Sequence, residues 1–144
     1  MINLKPRSTN RRGAAVVEFA VVAPLFVLLV FGMIEFGRAV MVQQVLVNAS
    51  REGARQAVLD GATLSGIEGH ISSYLSSASI DNETVIYTVN GAEVNDPTTA
   101  SAFGDAVGVE VRVSFDDVSW MPVPNYIGGT VLRANSVMRR ETTQ

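Results

Sequence analysis

Asp116 and Asp117 are adjacent carboxylates, and paired acids are what glycoside hydrolysis uses. On an extended strand, neighbouring side chains point to opposite faces, so the pair reads as a turn at a strand end. His70 is the single histidine, and the chain has no cysteine. A zinc-type site therefore has no ligand set, and His70 reads as a solvent-facing residue. Nothing matches a nucleophile elbow or a phosphate loop. The sequence asks for no cofactor and no metal, and it offers an enzyme no residues to name. The stretch "DDVSWMPVPNY" could present Trp120 and Tyr126 to a partner or a carbohydrate; a loop aromatic capping the core is the equal alternative. The carboxylate that stands out is Glu18, inside "RRGAAVVEFAVVAPLFVLLVFGMIEFGR", Arg11 to Arg38.

No charged residue occurs from Phe19 to Ile34. Extended back to Ala14, the run holds about 21 residues, or roughly 31 Å of helix, the thickness of a hydrocarbon core. Lys5, Arg7, Arg11 and Arg12 precede it, and such a basic flank keeps its end of a span in the cytoplasm. Residues 1–12 are thus expected inside and the body outside. The run is longer than the core of a cleaved secretory signal, and "EFGRAVMVQQVL" after it continues a helical pattern with no small-residue cleavage site. After Gly13 come seven arginines and all fourteen acids, and an acidic body argues against nucleic acid as a partner.

An acid at the centre of a membrane helix costs about 2.5–3.5 kcal/mol, and less near an edge. One reading of Glu18 is an interfacial acid that reaches the headgroups. The other is a paired group. No cation lies within a turn after it. The nearest candidate is a free α-amine on Ala14, exposed if the chain is cut after Gly13. Pro24 removes a backbone donor inside the span, which membrane helices tolerate as a kink; a role in contacts with other subunits is the equal alternative.

A basic leader ending in glycine, a small residue, a glutamate at the fifth position, an aromatic and a long apolar run resemble the prepilin-peptidase site of type IV pilin-like proteins. Joined to "NASREGAR" downstream, the pattern more closely resembles the TadE-like family, minor pilin-like proteins of the tight-adherence (Tad, or Flp) pilus machinery. The matching positions are Arg12, Gly13, Glu18, Phe19, Ala20, Pro24, the turn around Glu35, and Arg51, Glu52, Gly53 and Arg55. The resemblance is strong over residues 11–57 and looser beyond. It implies cleavage between Gly13 and Ala14 on the cytoplasmic side, with the span left in place. It also implies that Glu18 pairs with the N-terminal amine of a neighbouring subunit. The implied partners are the inner membrane, a prepilin peptidase, other pilin-like subunits and the Tad assembly-platform proteins. Residence in the inner membrane and incorporation in the pilus are both compatible with it.

Beyond the span, Phe36, Ala39, Val40, Leu46, Val47, Ala54, Ala57 and Val58 share one helical face, interrupted by Gln43 and Ser50. Gln44, Asn48, Arg51, Glu52, Arg55 and Gln56 share the other. One helix is therefore expected from Ala14 to Leu59, with Gly61 as its cap. "REGAR" invites reading as a basic interaction patch through Arg51, Glu52 and Arg55, and the stronger reading is a solvated face with a Glu52–Arg55 ion pair, while Gly53 and Ala54 suit close approach of another element. Residues 63–78 predict a short helix with Thr63 as N-cap. "ETVIYTVNG", "VGVEVRVSF" and "TVLRANSVMRRE" predict three strands. The fold expected is α+β: a long N-terminal helix, half membrane span and half amphipathic, packed on a small antiparallel sheet in a pilin-like head. The organisation expected is a leader at 1–13, a span at 14–36 and an extracytoplasmic head at 37–144. A generic single-pass anchor carrying a binding domain is the other reading; it has no need of Gly13, Glu18 or a peptidase.

Overall fold

The computed structural model describes residues 11–119 and 129–141, with side chains from Gly13 onward. The chain divides into two compact units, one up to Phe36 and one from Gly37. The first is the opening part of helix α1 (Arg11–Ala57), with Pro24 inside the helix. Its large apolar side chains are exposed, Phe19 at 73% and Leu25 at 70%. A soluble helix would bury such side chains. Among the described residues, α1 is the one helix long and apolar enough to cross a membrane, and the apolar stretch itself is not buried in the structure.

The second unit holds the rest of α1, helix α2 (Leu64–Ser76) and four strands: β1 (Thr84–Val89), β2 (Ala92–Val94), β3 (Ala106–Ser114) and β4 (Val131–Arg139). Two single-turn helices, α3 (Pro97–Ala100) and α4 (Phe115–Val118), sit in the connections. The sheet order is β2-β1-β3-β4, antiparallel throughout. β3 is central, and its period-two pattern decides the layer. Val107, Val109, Val111 and Val113 are all fully or nearly fully buried. Glu110 and Arg112 alternate with them and join in an ion pair at 2.8 Å. The valines share one core with Val42, Leu46, Ala49, Ala54 and Ala57 of α1 and with Ile67, Ile71 and Leu75 of α2. Each such aliphatic side chain contributes about 1.5–3 kcal/mol on burial.

At Gly53 α1 packs tightly on its neighbours. A Cβ there would lie 2.7 Å from Ile71 Cδ1 and 3.2 Å from Val109 Cγ1. The expected close approach at Gly53 is therefore present, against both α2 and β3. Thr63 caps α2 as expected, its hydroxyl accepting from the Gly66 N–H at 3.2 Å.

Four expectations need correction. The sheet has four strands, because Asn90 and Gly91, with φ of 52° and 85°, turn the chain straight back into β2. Both left-handed residues are what a two-residue hairpin turn requires. Phe36 (66%) and Val40 (45%) are exposed, while Val42 and Ala49 are fully buried in their place. Ser50, read as an interruption of the packed face, is itself buried within it. The helix ends at Ala57, two residues early, and Gly61 serves the turn after it at φ 70°.

Candidate functional site

The residues singled out by sequence lie along α1. Gly13, Ala14, Glu18, Phe19 and Pro24 are all exposed on its first half. Glu18 is the single ionisable side chain from Gly13 to Ile34, so the helix presents one carboxylate on an otherwise apolar surface. The leader residues before Arg11, Trp120 and Tyr126 lie outside the described residues.

The second cluster is at the far end of α1, where the helical repeat splits "REGAR" between two faces. Gly53 and Ala54 point into the core, while Arg51 and Arg55 are exposed and Glu52 is half-buried. Glu52 accepts from Arg55 Nε at 2.9 Å, from Arg55 Nη2 at 2.7 Å and from Gln56 Nε2 at 2.8 Å. These bonds, Arg55's first and Gln56's second, pull its carboxyl down to about 2; burial opposes them. The charge of His70 on α2 adds to the pull. His70 is exposed, as the sequence suggests. The expected i,i+3 ion pair is thus present, and it neutralises Arg55 within its own helix.

Three polar ties escape sequence reasoning. Ser50 Oγ and Ser136 Oγ share a hydrogen bond at 2.9 Å, joining α1 to β4. Gln43 Nε2 donates to the Arg133 carbonyl at 2.9 Å, and Arg38 Nε donates to the Val118 carbonyl at 3.2 Å. The two residues that interrupt the apolar face, Gln43 and Ser50, were the local signal. A polar group facing a core needs a partner there. Arg140 is the other omission: a cation 6% exposed, with no local pattern to announce it.

Asp116 and Asp117 open the one-turn helix α4. Asp116 Oδ2 accepts from the Gly129 N–H at 3.1 Å. Among the described residues, no group of three His, Asp or Glu side chains is placed to hold a metal ion. What the described residues assemble is a helix with two different surfaces: apolar with one acid at the start, polar and ion-paired at the end.

Residues 13–55 match the family described as TadE-like protein. The chain carries a TadE-like segment. The match agrees with the family resemblance read from the residues. It takes in Gly13, Ala14, Glu18, Phe19, Pro24, Arg51, Glu52 and Arg55, and it ends before α2 and the sheet. A search of curated proteins and a search of solved structures each found no match. The TadE-like segment thus coincides with α1, the element that carries every described residue with a sequence-derived assembly or processing reading. The match and the exposed apolar stretch of α1 are the two observations that bear on function.

Proposed function

We propose that the chain is a minor pilin-like subunit, anchored in the inner membrane, that is required for assembly of a Tad/Flp-type pilus. The observation that carries this reading is the coincidence of the TadE-like match with an exposed apolar stretch, residues 13–34, whose single carboxylate is Glu18. In this reading residues 1–13 are a cytoplasmic leader, 14–36 cross the membrane once, and 37–144 lie outside the cytoplasm. A prepilin peptidase cuts between Gly13 and Ala14. The new amine on Ala14 then belongs to the same register as Glu18 of a neighbouring pilin-like subunit. An ionised acid in lipid is costly alone, and a cation at matching depth relieves that cost. Pairing of this kind would set the axial offset between subunits, with Phe19 beside it in lipid. Arg51 and the Glu52–Arg55 pair would face other subunits or the assembly platform.

Intact mass and N-terminal sequencing of membrane-extracted protein test the processing step. With an active peptidase the chain should begin at Ala14, and replacing Gly13 by leucine should leave the leader attached. A chain that still begins at Met1 beside an active peptidase overturns the pilin-like reading.

A further inference from the structure

Asn90 and Gly91 form the exposed turn between β1 and β2. In an Asn-Gly pair the side-chain amide is unusually open to attack by the next backbone nitrogen, since glycine has no side chain to hinder the approach. Here the amide is held. Asn90 Nδ2 donates to Asp105 Oδ1 at 2.8 Å, and Asn90 Oδ1 accepts from the Ala106 N–H at 3.0 Å. The Asn90 N–H in turn donates to the Ala106 carbonyl at 2.8 Å.

Asp105 is the hub of a strap formed by residues 96–105. Its Oδ2 accepts from the Ala102 N–H at 2.7 Å, and its carbonyl accepts from the Arg140 N–H at 2.9 Å. The buried Arg140 side chain donates through Nη1 to the carbonyls of Thr98 and Ser101, each at 3.2 Å, and to Ser101 Oγ at 3.0 Å. The Gly104 N–H donates to the Arg140 carbonyl at 2.8 Å. The Asp105 end of the strap is therefore tied both to the β1–β2 turn, by Asn90, and to the end of β4, by the Arg140 backbone, while its Thr98–Ser101 part is held by the Arg140 side chain.

We propose that Asn90 is a site of spontaneous deamidation, that its hydrogen bonds to Asp105 and Ala106 gate the reaction, and that conversion loosens the strap at its Asp105 end. In the step itself the Gly91 nitrogen attacks Asn90 Cγ. A Gly91 N–Cγ bond forms and the Cγ–Nδ2 bond breaks. Ammonia leaves, taking up the Gly91 amide proton, and a cyclic imide remains. Water, the sole co-reactant, then opens the ring to aspartate or isoaspartate, and nothing is oxidised or reduced. Both bonds hold the amide against residues 105 and 106 and restrict the rotation that brings Cγ to the Gly91 nitrogen.

The product cannot rebuild the latch. An aspartate at this position sets a carboxylate against Asp105 where an N–H donor stood, and like charges in contact repel. An isoaspartate adds a backbone carbon to a two-residue turn that sets the Val89–Ala92 register. β2 is three residues long and lies at the sheet edge, so it has little else to hold it.

The test follows the amide-to-acid mass increase at residue 90, by peptide mass spectrometry of the full chain in detergent micelles at neutral pH. Deamidation in the folded protein should be slower than in urea by at least about tenfold, the factor set by the rarity of local opening. Asp105→Ala should raise the folded rate toward the urea rate, while Asp105→Asn, which keeps an acceptor, should stay slow. Asn90→Asp should speed hydrogen exchange at the Ala102 and Gly104 amides by about tenfold. Equal rates in folded and denatured protein overturn the gating. Unchanged exchange in Asn90→Asp overturns loosening of the strap. If Asp105→Ala loses its fold by circular dichroism, the folded-to-denatured ratio and the Asn90→Asp exchange remain decisive.

Discussion

Gly53→Ala sets two opposed effects against each other at one position. A helix interior prefers alanine to glycine by about 1 kcal/mol, so the change would stabilise an exposed site. At Gly53 the new methyl would lie 2.7 Å from Ile71 Cδ1, 3.0 Å from Ile71 Cγ1 and 3.2 Å from Val109 Cγ1. Carbon atoms rest about 3.5–4.0 Å apart. Ile71 is 1% exposed and Val109 0%, so neither has free space to enter. Overpacking of this kind costs about 1–3 kcal/mol. The net expectation for Gly53→Ala is a loss of about 0–2 kcal/mol, and for Gly53→Val a larger loss, since two more methyl groups enter and the helix gain shrinks. Ile71→Val removes Cδ1, the nearest clashing atom, and costs about 0.5–1.5 kcal/mol alone. Adding Gly53→Ala to Ile71→Val should then cost less than Gly53→Ala costs in the wild type, because Cδ1 is gone while the contacts at 3.0 Å and 3.2 Å remain. Urea and thermal unfolding of the detergent-solubilised chain, followed by far-UV circular dichroism, measures all four variants. If Gly53→Ala is more stable than wild type by the full helix-propensity gain, α1 does not press on α2 and β3 at this position.

Glu18→Gln keeps the size of the side chain and removes its charge. Membrane levels and leader removal should be normal, with crosslinking to other pilin-like subunits and pilus output both reduced; unimpaired assembly would leave Glu18 as an interfacial acid. Ser50→Ala removes one half of the bond to Ser136 and should cost about 1 kcal/mol, part of which the added Ser136→Ala should restore, since a half-buried hydroxyl would no longer lack its partner. The unfolding midpoint in urea for the two single variants and the double reports that coupling. The Glu52 carboxyl is held near 2, against an ordinary 4.5. Its contribution is therefore fully present above about 4.5 and lost as pH falls toward 2. Glu52→Gln should flatten that part of the stability–pH curve, and an NMR titration showing Glu52 at its ordinary value would refute the cause.

Much of this protein is written locally. An apolar run with one acid needs only counting, and it specifies a helix that water does not suit. The alternation from Val107 to Val113 names its buried face without reference to any partner, because a strand repeats every two residues. Asn90-Gly91 is a local hairpin signal of the same kind, yet the three-strand expectation passes over it and so misses β2. The start and end of the candidate site, Glu18 and the Glu52–Arg55 pair, are likewise visible in spacing alone.

Only the tertiary structure decides which part of a helical face meets something. A helical projection gives a broad apolar arc, but only part of that arc is covered, so Val42 and Ala49 are buried while Phe36 and Val40 are not. Ser50 and Ser136 are separated by 86 positions, and their bond exists because α1 crosses β4 at that point. Arg140 is buried because the strap at residues 96–105 folds over it and offers carbonyls as acceptors. Such contacts depend on the register of elements far apart in the chain. A side chain's own neighbours in sequence carry its propensity and its periodicity, and they hold no record of what packs against it.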